Sequence, residues 1–175
     1  MDEGLSREIF TSMPLSPVVV KDFVRQSNAI ESINRVKASD VDAHLIFLSK
    51  EDIRPSDMIQ LVGILQPGAR LRDKLKMNAV IGPVDNPVYI PPPGGPEVAR
   101  ALDGILQDVA LLQTDPYEIH CRYESLHPFT DGNGRSGRAL WLWQMVKMGL
   151  FVQGRGFLHH WYYESLRRHD SRMGR

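Results

Sequence analysis

His127-Pro128-Phe129-Thr130-Asp131-Gly132-Asn133-Gly134-Arg135-Ser136-Gly137-Arg138 lies between two segments with helical patterns, one ending near Leu126 and one opening at Ser136. Twelve residues here hold most of the parts needed to attack a polyphosphate. His127 has a side chain whose ordinary pKa lies near 6.5, so it can accept a proton at neutral pH. Asp131 is a hard oxygen ligand of the kind Mg²⁺ takes. Gly132 and Gly134 permit backbone conformations and close approach that a Cβ would block. Their amides sit just ahead of a helix, where unpaired N–H groups and the dipole favour an anion. Asn133 can donate from its side-chain amide. Arg135 and Arg138, three residues apart, share one end of the helix and carry permanent charges that can clamp phosphate oxygens. A DGNG run alone is commonly a turn, and two helical arginines are commonly a solvated face. Their combination behind a histidine disfavours a plain turn. No GxxxxGK[ST] occurs, which removes the P-loop reading.

Outward from this stretch, the chain reads as a series of helices. Ser16-Pro17 offers an N-cap followed by proline at the first helical position. Val19, Val20, Phe23, Val24, Ile30 and Ile33 give the segment from Val18 to Ile33 a helical spacing. A second helix is expected from Ser39-Asp40, with Val41, Leu45, Ile46 and Leu48 on its apolar side. A third is expected from Pro55-Ser56-Asp57 to the stop at Pro67-Gly68. Asn78 to Gly82 and Pro87 to Ile90 are short, apolar and partly β-branched, and the turn composition between them predicts a small β-hairpin. Further helices are expected from Pro96 to about Gln113, from Asp115-Pro116 through Leu126, from Ser136 to Met148 and from Phe157 to His169. The expected fold is all-α with one hairpin. Residues 1–15 form a lead-in, 16–169 a single domain that includes the first helix at about 16–35, and 170–175 a tail.

With those residues in view, the chain resembles the Fic domain family. Its signature, HxFx(D/E)GN(G/K)RxxR, is matched by residues 127–138 at every fixed position. The resemblance implies a protein AMP transferase that uses ATP and Mg²⁺ and modifies a Ser, Thr or Tyr hydroxyl of a target protein. It implies that His127 deprotonates the hydroxyl and that Asp131 holds the metal. Gly132, Asn133, Gly134 and Arg135 would hold the α- and β-phosphates, and Arg138 the γ-phosphate. Phe129 would pack into the core and set the loop. The segment from Ile81-Gly82 through Tyr89-Ile90-Pro91-Pro92 resembles the family's flap, which pins the target beside the nucleotide. His120, Tyr123 and Glu124 stand at the usual spacing before His127, and His120, two turns away, reads as structural because the loop already supplies a base.

Ser27-Asn28-Ala29-Ile30-Glu31-Ser32 resembles the family's inhibitory motif, (S/T)xxxE(G/N). Ser27 and Glu31 lie on one helical face. The resemblance implies that Glu31 pairs with Arg138, removing the γ-phosphate clamp and repelling the triphosphate. The last motif position departs from the family, with Ser32 where Gly or Asn is usual.

Composition bounds the alternatives. The chain has 175 residues, 42% hydrophobic and 24% charged, which is ordinary globular composition. The formal net charge is zero, so affinity for phosphate must come from a local site, and neither a nucleic acid nor a membrane is an expected partner. A single cysteine, Cys121, excludes an internal disulfide. Neither a signal peptide nor an apolar span is evident, so a cytoplasmic protein is expected, with secretion as an effector by another route left open. The expected partner is a target protein, with the chain itself as a second acceptor and a homo-oligomer compatible with the pattern. Rival readings are transfer of UMP or GMP by the same site, an ATP-binding regulatory module without turnover, and a nucleic-acid binder acting through Arg167, Arg168, Arg172 and Arg175. Trp141 and Trp143 read as packing residues.

Overall fold

The computed structural model describes residues 15–83 and 85–161. Six helices run in chain order: α1 (Pro17–Ile30), α2 (Ala38–Leu48), α3 (Pro55–Leu65), α4 (Pro96–Leu111), α5 (Pro116–Leu126) and α6 (Asn133–Lys147). A further helical turn starts at Phe157 and is described to Trp161. The rest of the expected last helix, with Arg167, Arg168, Arg172 and Arg175, lies outside the described residues. The fold is all-α. Among the described residues the only β structure is two isolated antiparallel bridges, Leu71 with Phe129 and Ile81 with Tyr89.

Local chemistry starts these helices. Proline takes the first turn of α1, α3, α4 and α5, where its missing N–H costs no helical bond. The Ser16 hydroxyl accepts from the Val19 amide, and the Asp115 carboxylate accepts from the Tyr117 and Glu118 amides. Two helices stop in a left-handed residue that is not glycine: Leu112 after α4, with φ 50°, and His127 after α5, with φ 49°.

α6 organises the interior. Nearly every residue from Asn133 to Met145 is buried, so this helix has no solvent face over that length. It divides the apolar interior into two. Trp143 joins the larger core with Phe47, Met58, Leu61, Val62, Leu102, Ile105, Ile119, Tyr123 and Phe129, drawn from α2 to α5 and the loop. Trp141 faces the other way, onto Val20, Phe23 and Val24 of α1 and onto Phe157. The packing role expected for both tryptophans is met: their exposures are 0% and 1%. Because α1 covers the second face of α6, its C-terminal end arrives over the first turns of α6.

Three expectations are corrected. α1 ends at Ile30, not Ile33, and Ile30 is exposed. The fully buried seam of α2 is Asp40, Ala43, His44 and Phe47; Val41, Leu45 and Leu48 of the expected face pack half-buried against the core, and Ile46 points to solvent. Polar residues hid this i, i+3, i+4, i+7 pattern; His44 is buried because its Nδ1 reaches the Asp40 carbonyl at 2.6 Å. The expected hairpin closes with one bridge, in which the Ile81 amide donates to the Tyr89 carbonyl at 3.0 Å and the Val88 amide to the Ile81 carbonyl at 2.8 Å. Pro83, Pro87, Pro91 and Pro92 remove the donors a longer ladder would need.

Candidate active site

The segment from His127 to Arg138 spans the end of α5, a five-residue connection and the first turns of α6. Helix α6 begins at Asn133, three residues earlier than the glycines suggest, so Asn133, Gly134 and Arg135 form its first turn. Gly132 precedes it with φ 77°, a conformation that needs glycine, and a Cβ there would come within 3.1 Å of Gln66 Cβ. Gly137 is demanded by packing: a Cβ would approach Glu124 Oε1 to 2.6 Å and Tyr123 Cδ1 to 2.9 Å. Here α5 packs directly against α6, which holds His127 relative to the α6 N-terminus.

The connection is braced from both sides. Asn133, 2% exposed, accepts from the Phe129 amide at 2.9 Å and donates to the Phe129 carbonyl at 2.8 Å. Its side chain therefore holds the loop, while the residue also lines the cavity described next. Phe129 is buried in the larger core, as expected. On the outer side, the segment Arg70 to Arg72 pairs with the loop: the Thr130 amide donates to the Arg70 carbonyl at 2.9 Å and the Arg72 amide to the Pro128 carbonyl at 2.8 Å.

These constraints gather one cavity of about 310 Å³, lined by Glu31, Ile33, Gln66, His127, Asp131, Gly132, Asn133, Gly134 and Arg135. His127 lies at one side of it. Burial, and then the Arg72 guanidinium, hold its imidazole below the ordinary range, against the pull of the Glu124 carbonyl, Asp131 and Glu31. The ring is neutral at neutral pH and ready to accept a proton. Asp131 accepts from Gln66 Nε2 at 2.6 Å and from the Gly132 amide at 2.6 Å. The same Gln66 amide accepts from Arg135 through its oxygen. Gln66 thus bridges the candidate metal ligand and the first candidate phosphate clamp, and sequence reading gave no sign of it.

Arg138 is 5% exposed and faces α1. Its Nε donates to Ser27 Oγ at 2.8 Å, and one terminal nitrogen donates to the Ser27 carbonyl at 3.1 Å and to Glu31 Oε1 at 2.7 Å. The two residues singled out in α1 therefore meet the second arginine of the stretch. Ser32, at the departing motif position, has φ 58°, the left-handed conformation that follows many helix ends. The backbone at this position asks for Gly or Asn, and serine adopts it at a cost of about 1 kcal/mol.

Behind the site sit His120 and Glu124, 3.8 Å apart. Burial pushes His120 down to about 4, so it is neutral at neutral pH. Burial also pushes Glu124 up to about 7, with Arg138 opposing and Glu31 adding to the rise. Of the flap residues Ile81, Gly82, Tyr89 and Ile90, none lines this cavity; Tyr89 ties the flap to α5, its hydroxyl donating to the Ser125 carbonyl at 3.0 Å. Val88 and Ile90 stay exposed at 81% and 64%.

The donor set suits a metal that arrives with its substrate. Among the described residues no three His, Cys, Asp or Glu side chains cluster as a metal cage. One carboxylate facing an anion-binding helix N-terminus fits Mg²⁺, which binds through one or two carboxylates plus phosphate oxygens. No helix of the described residues is long and apolar enough to cross a membrane.

No curated protein matches the chain. Residues 60–145 match the model of the Fic/DOC family, a span that begins within α3, takes in the flap and the loop, and ends within α6. With the signature stretch on an all-α fold at the mouth of one cavity, residues 60–145 form a domain of the Fic/DOC family, whose members in general transfer nucleotidyl or related phosphate-containing groups.

Proposed function

We propose that this protein is an AMP transferase that moves AMP from ATP onto a Ser, Thr or Tyr hydroxyl of a target protein, and that Glu31 restrains it. The observation that carries this reading is the single cavity lined by His127, Asp131 and the first turn of α6. In this reading the target hydroxyl lies within reach of His127, which takes its proton as the oxygen attacks the α-phosphorus. The bond between the α-phosphorus and the bridging oxygen to the β-phosphate breaks, and pyrophosphate leaves. The backbone N–H groups of Asn133 and Gly134, that of Gly132 once Asp131 releases it, and the Arg135 guanidinium offset the charge that develops on the phosphates. Asp131 would hold Mg²⁺, which when bound neutralises phosphate charge. Gln66 would have to release Asp131 and Arg135 for that to happen. The flap, through Ile81, Gly82, Tyr89 and Ile90, would dock the target segment.

Glu31 restrains this chemistry because its carboxylate holds Arg138, the guanidinium that would clamp the γ-phosphate. A triphosphate entering the cavity meets a negative charge where it needs a positive one, and misplacement of the α-phosphate by about 1 Å costs on the order of 100-fold in rate. The unaltered GN(G/K)R pattern favours AMP over other groups. Transfer of UMP or GMP would use the same residues.

The test is incubation with a cell lysate, Mg²⁺ and ATP labelled on either the α- or the γ-phosphate. Label that enters protein from the α position only, and not with His127→Ala, is the expected result. Label from the γ position only would replace AMP transfer by phosphorylation. Transfer from UTP or GTP but not ATP would keep the chemistry and change the donor.

A further inference from the structure

Arg72 is fully buried, with 0% exposure, and among the described residues it has no carboxylate partner. A buried cation without a counter-ion must be satisfied by dipoles. Four backbone carbonyls do this. Nε donates to the His127 carbonyl at 2.7 Å and one terminal nitrogen to the Leu126 carbonyl at 2.9 Å. The other terminal nitrogen donates to the Met77 carbonyl at 3.1 Å and the Pro92 carbonyl at 2.9 Å.

The identity of those carbonyls matters. Leu126 and His127 end α5, where carbonyls lack helical partners and the helix dipole is negative. Met77 lies on the leg that leads into the flap, and Pro92 is the flap's last residue. One planar fork therefore grips the end of α5 with one half and both legs of the flap with the other. The Arg72 main chain repeats the linkage, its amide donating to Pro128 and its carbonyl accepting from Gly95 at 2.9 Å. Gly94 lets the second leg reach this point: a Cβ there would lie 2.4 Å from the Met77 carbonyl oxygen.

We infer that Arg72 is a positioning residue that locks the flap and His127 into one rigid unit, so that the docked hydroxyl and the base that deprotonates it keep a fixed separation. This rests on the transfer reaction proposed above. Lysine cannot replace the fork, because a single ammonium has three donors radiating from one point and cannot span four carbonyls on two elements.

The experiment compares Arg72→Lys and Gly94→Ala, each in the Glu31→Gly form, with Glu31→Gly alone. Gly94→Ala pushes the Met77 carbonyl off the fork from the flap side and leaves the guanidinium intact. Two readouts are taken on protein that circular dichroism shows to be folded. Amide hydrogen exchange of the Ile81, Val88 and Tyr89 amides, and of the His127 amide, should accelerate about tenfold or more in both places together in each variant. For AMP transfer, kcat should fall and KM for the target protein rise about tenfold each, while KM for ATP stays within about twofold. Exchange that rises at the flap alone, or at neither place, overturns the linkage even if no form transfers AMP. Equal loss toward ATP and target would reduce Arg72 to a general structural role and overturn the inference. Absence of label with Glu31→Gly alone would count against the transfer reading, and the exchange data would still decide the linkage.

Discussion

Gly134→Ala gives a way to release Arg138 without altering either member of the latch. A Cβ at Gly134 would stand 2.3 Å from Glu31 Oε1 and 3.1 Å from an Arg138 terminal nitrogen. An ordinary carbon–oxygen contact is about 3.3 Å or more, so the carboxylate must retreat by about 1 Å. Glu31 is a flexible side chain, 40% exposed, and can do so. Its 2.7 Å bond to Arg138 then lengthens beyond hydrogen-bonding range. A charge-assisted hydrogen bond contributes about 1.5–3 kcal/mol, and partial exposure places this one nearer 1–2 kcal/mol. At about 1.4 kcal/mol per factor of ten, transfer should rise about 5- to 30-fold. The fold should tolerate the change, because Gly134 lies in α6, where alanine is favoured over glycine by up to about 1 kcal/mol. Initial rates with α-labelled ATP would be measured for the parent, Gly134→Ala, Glu31→Gly and the double variant. The double variant should be no faster than Glu31→Gly, since both changes empty the same contact. A Gly134→Ala protein as slow as the parent, beside a double variant as fast as Glu31→Gly, would refute the reasoning.

Other consequences follow from the same geometry. Ser32→Gly relieves a left-handed serine at φ 58° and should stabilise the protein by about 1 kcal/mol in urea unfolding while leaving Glu31 on Arg138, so that basal transfer does not rise. His120 is lowered to about 4 in the folded chain, so its contribution is complete above pH 6.5 and is lost as pH falls through 4. A histidine held neutral over that range contributes about 3 kcal/mol, and the stability gap between the parent and His120→Asn should shrink by about that amount from pH 7 to pH 4. A gap independent of pH would contradict a buried neutral His120. His44 and His127 are also held below the ordinary range, so the parent should lose stability steeply in acid.

Much of this was legible in the sequence because the deciding chemistry is local. Ser16-Pro17, Pro55, Pro96 and Asp115-Pro116 start helices through their own side chains and rings, and the structure begins helices at those points. Ser27 and Glu31, four residues apart, show in sequence that they share a face, and that face meets Arg138. The glycines misled in one respect. Gly134 resembles a loop residue, yet it is helical, and Glu31 presses against it as Tyr123 and Glu124 press against Gly137. Gln66 and Arg72 could not be foreseen. Their partners lie 65 and 55 residues along the chain, and no spacing rule connects a lone glutamine or arginine to groups that only the tertiary fold brings near. Ser32 is the opposite case: the sequence marked it as a departure, and its left-handed backbone supplies the reason that glycine or asparagine suits the position.

The central claim is that His127 drives AMP transfer and Glu31 holds it back through Arg138. The most direct measurement compares α-phosphate label incorporated into protein by the parent, Glu31→Gly, and Glu31→Gly with His127→Ala, under the same Mg²⁺ and ATP. The account predicts little label with the parent, strong label with Glu31→Gly and none with the double variant. Label that is equal in the parent and Glu31→Gly, or that survives loss of His127, would contradict it.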